Sequence, residues 1–180
     1  IQTNDAVSVP LDAHLRAILQ QVAALAAAGD LKSAREIARN AIASGSQGQT
    51  RELLEHLAAF DYRAGAPDAA REHYEVAVNN LDQPPAASAS EEATNYASYG
   101  ALLLLSGDRD RAGEILDKAL AKATDPALRS QILNNLGAVA ELGGDRAKAA
   151  GYYNEALPLS TSKSARGAVE ANLARLTKPQ

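Results

Sequence analysis

The chain of 180 residues contains no cysteine, methionine or tryptophan, and only one phenylalanine. Without cysteine it has no disulfides, thiolate metal sites or cysteine nucleophiles, and its redox compartment stays open. Aromatic residues make up only 4% of the chain, so side chains that favour strands are scarce. The strongest apolar run, Ala101–Leu105, is far shorter than the roughly 18 residues of a membrane span. We therefore expect no direct membrane span.

Methionine is missing even at the first position, because the chain begins Ile-Gln-Thr-Asn. We expect that an upstream segment, such as a signal peptide, a lipid anchor or a further domain, was removed by processing or trimming. Processing slightly favours a periplasmic or cell-envelope location over a cytoplasmic one, and the sequence leaves both open.

Clusters of basic residues are also lacking, and the net charge is −4. A nucleic-acid surface needs grouped Lys and Arg to neutralise phosphates, and a membrane-surface segment needs a polybasic run. The sequence therefore predicts a protein or peptide partner and excludes nucleic acid.

Four glycines recur with the same neighbours, at spacings of 36, 42 and 37 residues. An alanine follows each glycine after five residues, and a second alanine follows seven residues later. A period of this length is typical of a solenoid built from stacked helical units. The glycines are Gly29, Gly65, Gly107 and Gly144, and the alanines are Ala34, Ala41, Ala70, Ala77, Ala112, Ala119, Ala149 and Ala156.

Apolar residues recur at three- and four-residue steps on both sides of each glycine, which predicts a pair of helices per unit. Capping residues and prolines at helix starts support the expected boundaries. They are Thr50 for the third helix, Pro67 for the fourth, Ser88 with Glu91 for the fifth, Asp125 with Pro126 for the seventh, and Ser162 or Ser164 for the ninth.

Residues Asn134–Leu157 combine a small residue on the first helix, a Gly-Asp turn and two spaced alanines on the second. This stretch resembles a tetratricopeptide repeat (TPR), and Tyr99–Leu120 and Val22–Ile42 match almost as well. The resemblance covers residues 11–176. It implies an all-α fold, a right-handed α-α superhelix (TPR solenoid) of four helix-turn-helix repeats plus a C-terminal capping helix.

The expected organisation follows from this resemblance. Residues 1–10 would form a flexible N-terminal arm, residues 11–176 the solenoid and residues 177–180 a tail. The repeats would span about 11–46, 50–82, 90–124 and 126–161, and the closing helix 163–176. The sequence departs from the family pattern at Gln21 and Asp61, which stand where apolar residues are usual.

Small residues allow the two helices of a unit to cross closely. We therefore expect Gly100 to face Ala112 and Gly137 to face Ala149. Larger side chains are expected to fill the volume between units, and these are Tyr96, Leu116, Leu133 and Tyr153.

In proteins that resemble this chain, the first helix of each unit lines a concave groove that binds a peptide or a helix. Helical phase predicts a groove that is acidic at one end, apolar around Leu104 and Leu105, and rich in amides at the other end. Only Asn135 matches the residues of repeats that grip a C-terminal carboxylate, so chaperone tails are not expected as ligands. The predicted groove residues are Gln20, Glu55, His56, Tyr62, Arg63, Ser98, Ala101, Leu104, Leu105, Gln131, Asn134, Asn135 and Glu141.

No catalytic constellation is predicted. His14, His56 and His73 are too far apart in sequence for a metal pair on one helix, although His56 and His73 belong to the two helices of one unit. No glycine-rich loop follows a strand, and no nucleophile is placed beside a base. We expect no catalytic residues, no cofactor, no metal and no enzymatic activity.

The sequence therefore predicts a non-catalytic scaffold for protein–protein interaction. One alternative is a bacterial cell-envelope TPR (lipo)protein that assists pilus or secretion-system assembly. Others are a self-associating structural repeat, hence a possible homo-oligomer, and a regulatory domain of a larger protein.

Overall fold

The structure, a computed structural model, describes residues 11–44, 47–81 and 87–177. These residues form nine α-helices and no strand. The predicted arm of residues 1–10 and residues 178–180 of the predicted tail lie outside the described residues. The helices are α1 Leu11–Ala27, α2 Leu31–Ser44, α3 Gln47–Arg63, α4 Pro67–Asn79, α5 Ala89–Leu105, α6 Arg109–Lys122, α7 Pro126–Leu142, α8 Arg146–Leu159 and α9 Lys163–Thr177.

The four repeated glycines lie in the turns that join the two helices of each unit. All four have positive φ, between 77° and 86°, a left-handed conformation that glycine adopts without steric cost. At each turn the glycine N–H bonds to the carbonyl three residues earlier, and the next N–H bonds to the carbonyl five residues earlier. This is the Schellman motif, and it ends the first helix while turning the chain into the second.

Most of the predicted helix starts are confirmed. Ser88 and Glu91 form a reciprocal capping box at α5. The Asp125 carboxylate accepts a bond from the Leu128 N–H at 2.8 Å, at the start of α7. For α9 the structure selects Ser162 over Ser164, because the Ser162 hydroxyl accepts the N–H of Ala165.

The expected cap at Thr50 is wrong. Helix α3 already begins at Gln47, so Thr50 lies in its first turn. A capping residue must have non-helical backbone, which Thr50 does not have here. The second unit therefore starts earlier than its expected boundary at residue 50.

Burial is spread along the chain instead of being concentrated at one centre. Four clusters of buried apolar residues each join helices of neighbouring units, from Val22 in the first to Val169 in the last. Each unit therefore packs mainly on its neighbours, as in a solenoid. The all-α repeat fold predicted from the sequence is confirmed.

The helix crossing differs in detail from the prediction. A Cβ atom on Gly100 would lie 2.6 Å from Leu116 Cγ, and one on Gly137 would lie 2.3 Å from Tyr153 Cε1. The glycines thus lie against Leu116 and Tyr153, one turn beyond the alanines expected to face them. The larger side chains fill the gap that each glycine leaves inside its own unit, as well as contacting the next unit.

A buried carboxylate links the first two units. Asp61 on α3 is fully buried, and its two oxygens contact Arg35 on α2 and His73 on α4, the latter at 2.8 Å. A buried charge is tolerated only where partners of this kind replace water. The unusual Asp61 of the sequence is therefore the centre of a polar junction between α2, α3 and α4.

The imidazole of His73 is mainly neutral at this junction. Burial, then the Arg39 guanidinium and, more weakly, Arg35, lower the pKa of His73 below its ordinary value of 6.5, while Glu72 opposes the shift. The Nδ1 atom of His73 lies 2.8 Å from one carboxylate oxygen of Asp61.

We predict that the substitution Gly137→Ala lowers the free energy of unfolding by about 1–3 kcal/mol, because its Cβ overlaps the Tyr153 ring. Gly151→Ala is the matched control, since no atom lies within 4 Å of its added Cβ. That control should gain about 0.5–1 kcal/mol from helix propensity. Urea unfolding of both variants checks the prediction, and equal effects would contradict the close crossing.

We predict that the stability of the protein depends on His73 at mildly acidic pH. Because the folded pKa lies below the unfolded one, its contribution is complete above pH 6.5 and is lost as the pH falls. The free energy of unfolding should fall more between about pH 7.5 and about pH 5.5 in the wild type than in His73→Gln, which keeps a neutral donor. Parallel pH profiles would show that His73 does not titrate in this way.

Candidate functional site

The first helices of the units form the inner wall of the solenoid. Besides packing on its own partner, α1 contacts α3, α5 contacts α7 and α7 contacts α9. The second helices make no comparable contacts with one another among the described residues. Because the first helices lie closer together, the ribbon curves toward them, and their free faces line a concave groove.

Alanine occupies the middle of this groove in three consecutive units. These residues, Ala59, Ala101 and Ala138, are all half-buried. Each directly follows the residue at the helix crossing of its unit, which is Gly100 or Gly137 in the last two units and the equivalent Ala58 in the first of the three. A methyl group projects little from a helix. The same position on α3, α5 and α7 therefore carries only a small side chain.

The amino-terminal end of the groove carries both acidic and basic side chains. Glu55 and His56 are half-buried, whereas Gln20 and Arg63 are exposed. Arg63 donates from Nε to the Ala59 carbonyl at 3.2 Å. His56 stacks on Phe60 with ring centroids 6.3 Å apart, so it does not pair with His73, which belongs to the Asp61 junction.

A buried tyrosine reaches the groove from the second helix of the second unit. The ring of Tyr74 stacks on the ring of Tyr99, with the ring centroids 6.0 Å apart. Burial first, and then the Glu55 carboxylate, raise the pKa of Tyr74 to about 12. Glu55 and Ser98, both predicted groove residues, thus both influence the pKa of this buried hydroxyl.

Helix α9 completes the wall at the other end through Glu141. Arg175 donates to both carboxylate oxygens of Glu141, at 2.7 and 2.6 Å, and the Tyr153 hydroxyl donates to one of them at 3.0 Å. The bonds from Arg175 are the main reason why the pKa of Glu141 is lowered. Burial and the Glu141 carboxylate raise the pKa of Tyr153.

The amides beside this contact divide into two groups. Asn172 on α9 donates to the Asn134 carbonyl oxygen at 2.8 Å, which uses part of the bonding capacity of Asn134. Gln131 is exposed and Asn135 is half-buried. Within the described residues neither has a hydrogen-bond partner on another side chain, so both amides remain available to a ligand.

The two leucines expected in the apolar middle of the groove lie on different surfaces. Leu104 is half-buried and packs on the cluster that contains Tyr74 and Tyr99. Leu105 is 65% exposed and lines a cleft with Tyr62 and Pro67, at the edge where the glycine turns lie. Leu104 therefore packs toward the first-helix wall, whereas Leu105 lies at the edge of the glycine turns.

Two other kinds of site, a metal site and a membrane span, are absent from the described residues. No group of three or more His, Asp or Glu side chains is placed to hold a metal ion within the described ranges. None of the helices there is both long and apolar enough to cross a bilayer.

We predict that Glu141→Gln loosens α9, because a neutral amide cannot pair with both donors of the Arg175 guanidinium. This pair is largely solvent-exposed, so the loss should be about 0.5–1 kcal/mol, which corresponds to a few-fold faster amide exchange in α9. Hydrogen exchange resolved by helix measures this, with Glu114→Gln at an exposed position of α6 as the control. Unchanged protection of α9 in Glu141→Gln would show that the contact does not hold the helix.

No protein-family model and no curated protein matches the chain. Several solved structures do match, at low sequence identity. PilF of Pseudomonas aeruginosa is 22% identical with a TM-score of 0.75, over 92% of this chain and 68% of PilF. BtubC from P. vanneervenii is 18% identical with a TM-score of 0.83, over 92% of this chain and 72% of BtubC.

A third match extends the comparison to a larger assembly. A chain of the APC/C hetero-tetramer Cut9-Hcn1 is 16% identical with a TM-score of 0.75, over 91% of this chain and 30% of that one. These neighbours are tetratricopeptide-repeat proteins, and at such identities the likeness concerns the fold. The chain thus has the tetratricopeptide-repeat fold, an all-α solenoid, as the resemblance in its sequence implied.

Proposed function

We propose that this protein is a non-catalytic interaction scaffold that binds a segment of a partner protein in the groove of its first helices. The observation that carries the proposal is a row of small side chains on the first helices of three successive units. These residues, Ala59, Ala101 and Ala138, are half-buried and would leave room for a ligand backbone. Helix α9 extends the same wall through its contacts with Glu141 and Asn134.

The polar groups beside this floor suit a peptide. The free amides of Gln131 and Asn135 each supply donors and an acceptor, which is what a peptide bond requires. Apolar contact is available from the half-buried Tyr62 and Leu104. The groove thus offers hydrogen bonds for a main chain and modest apolar surface for its side chains.

The ionisable side chains of the groove have structural partners, which favours a scaffold over an enzyme. Glu141 is held by Arg175 and Tyr153, and the imidazole of His56 stacks on Phe60. General acid–base catalysis needs a group that reaches a substrate proton. The groove provides shape and hydrogen bonding, and these are the requirements of a docking surface.

We predict that Ala101→Glu abolishes capture of the partner, because it places a charged side chain on the groove floor. Ala121→Glu introduces the same change at an exposed position of α6, on the second-helix side, and should leave capture intact. Both variants should keep the helical content of the wild type. Affinity capture from the native organism, compared among the three proteins, measures this, and equal capture by Ala101→Glu would exclude the groove.

A bacterial cell-envelope role, in assisting pilus or secretion-system assembly, is the second candidate. The similarity to PilF of Pseudomonas aeruginosa favours it, and at 22% identity that similarity is one of fold. Fractionation of the native organism separates the two possibilities, since a strictly cytosolic protein would contradict the envelope role. A regulatory domain of a larger protein has no comparable observation in its favour.

A further inference from the structure

A cavity of about 570 Å³ lies between α7 and α9, at the amino-terminal ends of both helices. It is on the opposite side of the solenoid from the turn edge, which is the rim formed by the four glycine turns. Gln131 and Asn134, two of the predicted groove residues, line it, and Asn134 stands one helical turn before Ala138. The cavity is therefore a recess in the wall of the groove.

The recess exists because a side chain that fills the preceding junction has no counterpart here. Leu128 on α7 packs on the apolar cluster that contains Ala93 of α5 and Ile132. The equivalent residue of α9, 37 positions later, is Ala165, which is exposed. Helix α9 otherwise packs in the same register, since Val169 is buried as its equivalent Ile132 is. The space that a leucine occupies between α5 and α7 is thus left open between α7 and α9.

One side of the cavity is apolar. Leu128 and Val169 line it from the two helices, together with the small residues Ala127, Ala165 and Ala168. Its volume is in the range of sites that bind small molecules. This surface suits the apolar body of a large side chain.

The buried polar part of the wall offers hydrogen-bond acceptors. Ser130 and Ser160 are 2% and 7% exposed, and their hydroxyl oxygens lie 2.9 Å apart. Each hydroxyl also lies within reach of the Ala156 carbonyl oxygen, at 3.0 and 3.1 Å. A hydroxyl has one proton, so the carbonyl and the contact between the two hydroxyls use both protons of the pair. The serine pair therefore has lone pairs to offer, but no proton for a ligand.

The charges around the cavity favour a neutral ligand. Among the described residues, the only charged side chain in its lining is Asp125, whose carboxylate already accepts the Leu128 N–H at 2.8 Å. The amino-terminal ends of α7 and α9 lie at the same place, and a helix carries partial positive charge at that end. A cation would be repelled by the helix ends, and an anion would be repelled by Asp125.

We propose that this cavity receives one side chain of the partner segment, an aromatic ring with a neutral donor at its tip, as in tyrosine or tryptophan. Such side chains combine a large apolar body with an O–H or N–H group. The ring would lie between Leu128 and Val169, and the donor would bond to the pair of Ser130 and Ser160. The inference rests on the proposed function, because it requires a segment that runs along the groove.

Titration of the isotope-labelled protein with N-acetyl-tyrosinamide tests this, with amide chemical shifts as the readout. The shifts should be concentrated on the residues that line the cavity. N-acetyl-phenylalaninamide has the ring without the donor and should bind about fivefold more weakly, which is the factor that one neutral hydrogen bond contributes. The positively charged N-acetyl-lysinamide and the negatively charged N-acetyl-aspartamide should both bind more weakly than N-acetyl-tyrosinamide.

Variants of the cavity separate its apolar and polar parts. Ala165→Leu places on α9 the residue that fills the preceding junction, and it should abolish binding of both aromatic probes. Ala147→Leu makes the same change at an exposed position of α8 and should leave binding unchanged. Replacing both Ser130 and Ser160 by alanine should bring the affinities for the two aromatic probes together. Retained binding of N-acetyl-phenylalaninamide shows that this double variant is folded.

An absence of shifts in the cavity would overturn the proposal, as would equal affinities of the wild type for the two aromatic probes or tighter binding of either charged probe. Shifts of the same amides that depend on protein concentration without a probe would also overturn it, since a second copy would then occupy the cavity. All these measurements use the isolated protein. A negative result therefore leaves partner capture by the groove unaffected, because Ala101→Glu tests that capture separately.

Discussion

The close crossing of the two helices in a unit is the constraint on which the rest of the structure depends. At Gly100 and Gly137 the first helix has no side chain, and the space is taken by Leu116 and Tyr153 from the second helix. This arrangement fixes the separation of the paired helices, because any larger residue at the glycine would need one of them to move. The separation in turn determines how far the first helices of successive units lie from one another.

The inner wall follows from that spacing. First helices contact one another at three of their four junctions, and the second helices make no comparable contacts among the described residues. The resulting curvature places the alanine row on the inner wall. Tyr74 and Tyr153 occupy equivalent positions on second helices, and the Tyr153 hydroxyl reaches between the helices to donate to Glu141. The packing core and the candidate binding surface are therefore connected through the Tyr153 side chain.

The sequence predicts the fold well because its signals are local. A glycine in a left-handed turn, a capping box and an apolar period each involve residues within a few positions of one another, and most of them are confirmed. Thr50 shows the limit, since a good capping residue does not prevent the helix from starting three residues earlier. Boundaries depend on tertiary packing as well as on local preference.

The site is less predictable, because its contacts join residues that are distant in sequence. Glu141 meets Arg175, 34 residues away, and the Asp61 junction joins three helices. In both cases the sequence marked the residue by a departure from the repeat pattern. Arg175 lies 37 residues after Ala138 and interrupts the row of groove alanines, and Asp61 replaces an apolar residue. Departures from a repeat thus mark residues with particular partners, although the pattern alone does not identify the partner.

The adjacent residues Leu104 and Leu105 show how one helix end serves two surfaces. A step of one residue rotates a side chain by about 100° around the helix, so Leu104 packs toward the groove while Leu105 points to the turn edge.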